Sequence, residues 1–432
     1  LAFTGTVSFC NFKKYSDPQA HPHGSAYVID HIEEPSSMDA HAVSFRVEKD
    51  DLSGAVSWVA RNLPTKPTQP VLRAVVITAD DEGLEFAGFD YEVSTKVHIN
   101  ADVRQPGRIA VAGKLMSDII GTLPNKTIEV FVEGTQVQVV CGSSRFELPL
   151  IPLDEYPPLP QLPAVTGAID PNLFTDAVLQ VAAAAGRDET LPMLTGIHME
   201  IDGENVTLTA TDRFRLALRR FTWSPANPEA KAKLLIPAKN LSDNARSLDS
   251  GSTEPVEIAV GTGENIGAEG LFGIHIDNRQ TTTRMLDADF PNVSPLLPKV
   301  HNAMASVEIS ALSDAIRRVA LVAERNAQIR MQFTRDEVIL SAGGSDAGHA
   351  EESVPCAFTG DQEFLIAFNS AYLRDGLSVI RTSRVVFGFT EPSRPAIMIP
   401  EPETLPEASA DGTYPTPDTE FTYLLMPVRL PG

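Results

Sequence analysis

The sequence is poor in the features that mark several protein classes. It has three cysteines, Cys10, Cys141 and Cys356, an odd number without metal-ligand spacing. That excludes a disulfide framework and the usual zinc modules, and it suits a reducing, cytoplasmic compartment. No apolar run approaches the roughly eighteen residues that a spanning helix needs, so no membrane segment is expected. Positive charge is the scarcer sign, with 35 Lys and Arg against 57 Asp and Glu and a formal net charge of −22. A surface that binds nucleic acid over its whole area is thereby excluded, whereas a local basic face is not. There is also no glycine-rich phosphate loop, no nucleophile–base pair and no metal-ligand cluster. Neither a cofactor nor a metal is expected.

What is present is a long, ordinarily apolar chain. Its 432 residues exceed what one core supports, so several domains are expected. Residues 1–44 differ from the rest. The stretch "KKYSDPQAHPHGSAYVIDHIEEPSSMDAHAVS" has no sustained periodicity. It reads as a disordered extension, or as translated sequence upstream of a start at Met38. His21, His23, His31 and His41 fall in it, but no metal site is expected in so loose a segment. It lacks the apolar centre of a signal peptide. Order is expected from about Phe45.

An internal repeat dominates the remainder. "LSGAVSWVA" from Leu52, "FTDAVLQVA" from Phe174 and "LSDAIRRVA" from Leu312 share apolar first, fourth, fifth, eighth and ninth positions. That is the stripe of an amphipathic helix. A second triplet follows the same rhythm: "VAGKLMSDII", "IPAKNLSDNA" and "FNSAYLRDGL", around Asp118, Asp243 and Asp375. Between the helices the sequence alternates like strands, with turn signals at "DDEG", "DGEN" and "TRDE". Proline-rich linkers fall at "PPLPQLPAVTG" and "SPLLPKVHNAMA". The expectation is an α+β chain of three similar domains, each with two helices and antiparallel sheets, at 45–163, 164–298 and 299–432.

Like domains joined head to tail by a near-constant rotation can close into a ring. The repeated helices carry cations on or near them: Arg61, Lys66, Arg187, Arg317, Arg318 and Arg325 on the first set, Lys114, Lys239, Arg246, Arg374, Arg381 and Arg384 on the second. A shared cationic surface of that kind suits DNA phosphates, bound with little sequence preference.

The repeat resembles the bacterial sliding clamp family, the beta subunit of DNA polymerase III. The likeness runs from about Phe45 to Leu430 through "FRVEKDDL", "LPMLTG", "ATDRFRLAL", "TTRMLDADFPN" and "YLLMPVRL". It implies a head-to-tail homodimer that encircles duplex DNA, has no catalytic activity, and acts in the cytoplasm on the nucleoid. The implied partners are the polymerase III catalytic subunit, the clamp loader, and other polymerases and repair proteins carrying a motif close to Gln-Leu-x-Leu-Phe. The implied peptide cleft is lined by Leu194, Thr211, Arg213, Arg215, Leu216, Pro291, Leu296, Ser393, Pro395, Leu424, Met426, Pro427, Val428, Arg429 and Leu430. The implied DNA contacts are Lys66, Lys114 and Arg187. The implied dimer interface sets Phe146 and Leu148 against Leu321 and Val322.

The chain departs from the family pattern in places. Arg213-Phe214 stands where many relatives have Gly-His, and Pro295 where relatives often have arginine. Pro192 and Met193 replace a pair of tyrosines beside the Arg187 site. Two other readings compete. In an enzyme, Asp212, Arg213 and Arg215, with Asp287 and Asp289, would hold a phosphorylated substrate, but no nucleophile accompanies them. In a peptide-binding repeat scaffold without DNA encirclement, the same cleft would need no basic lining.

Overall fold

The computed structural model describes residues 43–248, 253–261, 266–323, 328–344, 348–360 and 362–429. The N-terminal histidines, Met38, Arg325 and Leu430 lie outside them. Val43 is fully buried and Ser44 opens the first strand.

The helices in chain order are α1 (Lys49–Arg61), α2 (Gly113–Thr122), α3 (Pro171–Ala182), the single turn α4 (Pro192–Thr195), α5 (Ala238–Ser247), α6 (Ile309–Val319) and α7 (Ser370–Val379). Both repeated templates are therefore helical in all three copies. Their apolar stripes are the buried faces: Leu52, Ala55, Val56 and Val59 in α1, Leu312, Ala315, Ile316 and Val319 in α6. Local chemistry sets the starts. Asp170 accepts from the amides of Asn172 and Leu173 ahead of Pro171, and Asn369 accepts from those of Ala371 and Tyr372. Each side chain satisfies amides that have no partner within the helix.

Every strand ladder among the described residues is antiparallel. Two sheets run unbroken across domain borders. One has nine strands, and its border joins Arg279–Arg284, the last strand of domain 2, to Val93–Ile99 of domain 1, with Thr281 opposite Thr95. The other has twelve strands, and its border joins Phe421–Leu425, the last strand of the chain, to Arg215–Thr222 of domain 2, with Tyr423 opposite Ala217. The apolar terminus is thus a central strand shared by two domains. Phe421, Tyr423, Leu424 and Leu425 are at most 1% exposed. Helix α7 lies so close to it that a Cβ on Gly376 would come within 2.6 Å of the Tyr423 ring.

Helices occupy one face of these sheets and the interdomain linkers occupy the other. After its last strand, each domain sends one amide to the edge strand. Ile151 N–H donates to Ala110 O, Leu286 to Leu235 O and Val428 to Ala367 O, each at 2.8 Å. Met426–Arg429 is therefore a third copy of the start of a linker.

The last hairpin is tight in domains 1 and 2. In domain 3 it is opened by the excursion Glu401–Glu420, which folds back on the second linker. There Tyr414–Pro415 pairs with Val300–His301. His301 is fully buried, its Nε2 bonded to Thr416 Oγ1 at 2.8 Å and its Nδ1 without a partner. Burial pushes its pKa from 6.5 down to about 4. The folded state resists protonation that the unfolded chain accepts, so this group's contribution is intact above pH 6.5 and is lost as pH falls towards 4. The unfolding free energy from urea titration should drop by about 2 kcal/mol between pH 7 and pH 5 through His301 alone. His301→Gln should flatten that dependence, and an unchanged slope would exclude the histidine as its source.

Candidate functional site

Strand register gathers one rim of the implied peptide cleft. Arg215 lies opposite Leu425, and Leu425 opposite Ala396. The residues just beyond these three strand ends are Phe214, Met426 and Pro395. Met426 N–H bonds Phe214 O at 2.8 Å. Phe214 is 53% exposed and stacks on Tyr372 of α7 with ring centroids 6.2 Å apart. Pro395, Met426, Pro427 and Val428 are half-buried, and Ser393, Pro291, Arg213 and Arg429 are exposed. Leu296 projects from the linker turn Ser294–Leu296 and is 39% exposed.

Other residues of the implied cleft lie beneath that surface. Leu216 and Leu424 are 1% exposed and form an apolar cluster with Leu218 and Ile397, on which Val293 and Leu297 of the linker pack. Leu194 is buried in α4, and its carbonyl accepts from Gly186 N–H at 2.7 Å. The Thr211 hydroxyl is spent on Arg215 O at 2.7 Å. Arg213 holds φ at +79°, a conformation that favours glycine. The glycine of many relatives at this place therefore has a backbone reason.

Arg215 is placed differently from a peptide-facing arginine. It is 6% exposed and bonds Asp212 at 3.0 Å, Asp375 at 2.5 Å and the Tyr423 hydroxyl at 3.3 Å. Its guanidinium also lies 4.4 Å from the Tyr372 ring centroid. Burial pushes the Tyr423 hydroxyl's pKa up, so it remains a neutral donor, to Tyr372 O at 3.1 Å. This cluster ties the 212–214 turn of domain 2 to α7 and the last strand of domain 3. Sequence reading missed Asp375, Tyr372 and Tyr423 as its members. The Asp212–Arg215 spacing was the only local signal.

The helical cations divide into two groups. Arg318 is held by Glu352, Arg381 by Asp176, Arg384 by Glu401, Lys239 and Arg246 by Asp243, and Arg317 by Asp314. Arg61, Lys66, Lys114, Arg187 and Arg374 are exposed and have no carboxylate within ion-pair distance among the described residues. At the interface positions, Leu321 is 84% exposed, Val322 and Phe146 are half-buried, and Leu148 is 2% exposed within the core of its own domain. No group of three or more His, Cys, Asp or Glu among the described residues is placed to hold a metal.

Three models of the DNA polymerase III beta subunit match the chain in succession: the N-terminal domain over residues 43–160, the central domain over 168–292 and the C-terminal domain over 294–407. The chain belongs to the beta sliding clamp family. It is 44% identical to the beta sliding clamp of Streptomyces coelicolor, over 90% of this chain and all of that one. It is also 40% identical to the beta sliding clamp homolog GriR of Streptomyces muensis, over 89% and 99%. The crystal structure of the Bacillus subtilis sliding clamp superposes with a TM-score of 0.78 at 26% identity, covering 90% of this chain and all of that one. A Pseudomonas aeruginosa clamp bound to griselimycin shares the fold, with a TM-score of 0.77 at 24% identity.

Arg215→Met should cost about 3–5 kcal/mol, because it removes the buried cation that Asp212 and Asp375 share. The denaturation midpoint measures this. A loss below about 1 kcal/mol would show that the cluster does not hold the two domains together.

Proposed function

We propose that two copies of the chain close into a ring around duplex DNA, slide on it, and tether the replicative polymerase without catalysing a reaction. One observation carries this reading. The strand joint between domains is built twice within the chain, and the parts of a third copy are present but unpaired. Domains 1 and 2 share one joint, and domains 2 and 3 share the other. Left over are Ser144–Pro149, the last strand of domain 1 and the edge of its five-stranded sheet, and the first half of Gly348–Phe358 in domain 3. That strand pairs with Glu337–Gly344 on one side, but on the other, among the described residues, it meets Ala305–Val307 only through Cys356–Phe358.

Transferring the two joints' register to these strands sets Phe146 opposite Ala350 of the partner subunit, as Tyr423 faces Ala217. Arg145 then faces the partner's Glu351, Glu147 the partner's His349, and Leu148 the partner's Gly348. Opposite charges meet, and a large residue meets a small one. The helices agree. In the repeat, Leu321 and Val322 occupy the places of Ala183 and Ala184, which pack into the core of domain 3. The high exposure of Leu321 is what an open copy of that contact would leave.

Lys66, Lys114 and Arg187 are the cations we assign to the DNA phosphates, because none has a carboxylate within ion-pair distance among the described residues. Lys114 and Lys239 are equivalent in the repeat, yet only Lys239 is tied to an aspartate. The cleft around Phe214, Leu296, Pro395 and Met426 docks the polymerase, the clamp loader and repair proteins, in the bacterial cytoplasm. We take 45–163, 164–298 and 299–432 as the domains. A peptide-binding scaffold would have no use for the unpaired cations or the open joint.

Retention on nicked circular DNA, with loss on linearisation, is the expected behaviour. Lys66→Glu with Lys114→Glu should shorten retention about tenfold and weaken its salt dependence, leaving peptide affinity unchanged. Equal retention of the double variant would remove both lysines from the lining.

A further inference from the structure

Beside the cleft lies a second concavity. A groove of about 1330 Å³ opens between the outer face of the domain 2 sheet and the linker Met285–Lys299, and Thr416–Thr422 closes its far side. The first linker covers the same part of its own sheet. There Ile151, Leu153 and Tyr156 pack directly on Ala74, Val76 and Ala110. In domain 2 the register positions of Val76 and Ala110 are taken by His198 and Leu235. Phe290 stacks flat on His198, with centroids 4.9 Å apart and planes at 2°. The linker rests on this pair, and the groove extends beyond it.

The groove lies one row of the sheet from the cleft. Thr211, Leu216 and Leu424 form one row across the sheet, and His198, Thr209, Leu218 and Thr422 form the next. Successive rows on one face are about 7 Å apart, the length of two residues of an extended peptide. Pro291 borders both. The groove's chemistry is the opposite of the cleft's. Its floor carries the Thr207, Thr209 and Thr422 hydroxyls, none engaged with another side chain among the described residues.

Its charges are segregated. Arg220 and Lys299 lie at the end bounded by Thr416–Thr419, since Arg220 N–H bonds Glu420 O and Thr416 N–H bonds Lys299 O. Neither has a carboxylate partner among the described residues. Lys233 is neutralised by Glu200 at 2.5 Å. Asp287 follows Leu286, which is tied to the opposite edge strand, and Asp289 follows in the linker. An anionic side chain is therefore favoured at the Arg220 end and repelled at the other.

We propose that this groove is an accessory subsite for partner proteins. It takes a polar segment that flanks the apolar docking motif and carries an Asp or Glu to Arg220. The proposal rests on the cleft reading above.

Fluorescence anisotropy with three kinds of peptide tests it: the Gln-Leu-x-Leu-Phe core, the core with a four-residue flank containing Glu, and the same flank with Lys, each flank placed at either end. The Glu flank at one end should tighten binding about tenfold over the core. Arg220→Ala and the groove-filling Thr209→Trp should each abolish that gain without changing core affinity. Equal affinities for all peptides, a preference for Lys, or a gain surviving both variants would overturn the subsite while leaving the cleft intact. Failure of the core itself to bind the native protein would overturn the cleft reading and the subsite with it.

Discussion

The antiparallel joint between the last strand of one domain and the third hairpin strand of the domain before it is the constraint on which the rest depends. It turns three separate cores into two continuous sheets. Each joint buries its inward residues, Thr281 against Thr95 and Tyr423 against Ala217, and satisfies backbone groups that an edge would leave open. Helices then share one face and linkers the other. The chain's final residues belong to this logic. Phe421–Leu425 is the domain 2–3 joint, and Met426–Arg429 after it repeat the start of a linker.

The outer face responds to what covers it. At one register position, opposite Ala110, Leu235 and Ala367 in turn, the repeat carries Val76, His198 and Arg330. Val76 lies under a linker packed directly upon it. His198 supports a linker through a stacked ring. Arg330 is in domain 3, where the described residues of the linker copy are Met426–Arg429. Rising polarity follows falling cover, as desolvation costs require. The excursion Glu401–Glu420 braces the second linker instead. There Gly388 leaves room for the His301 ring, which a Cβ would meet at 2.7 Å.

Much of the fold was legible because its signals are local. Apolar spacing located six helices, and polar turns separated the strands. The pairing of Lys239 with Asp243 and Arg317 with Asp314 follows from helical spacing alone. Long-range partners were not legible. Nothing near Arg381 announces Asp176, and nothing near Arg215 announces Asp375. An arginine in a turn reads as exposed until two domains close over it. The family resemblance supplied the residues of the implied cleft but not their depth: Leu216 and Leu424 were expected as lining and are buried under the linker. The joints were invisible, because alternation gives the face of a strand and not its neighbour.

Cysteine cross-linking across the third joint tests the account most directly. Antiparallel residues placed opposite one another have Cα atoms about 4.5–5.5 Å apart, within disulfide reach. A variant carrying Arg145→Cys and Glu351→Cys should oxidise to a covalent dimer. The off-register combination of Arg145→Cys and His349→Cys should not. A protein that dimerises yet cross-links neither pair, or both equally, would contradict a third copy of the joint.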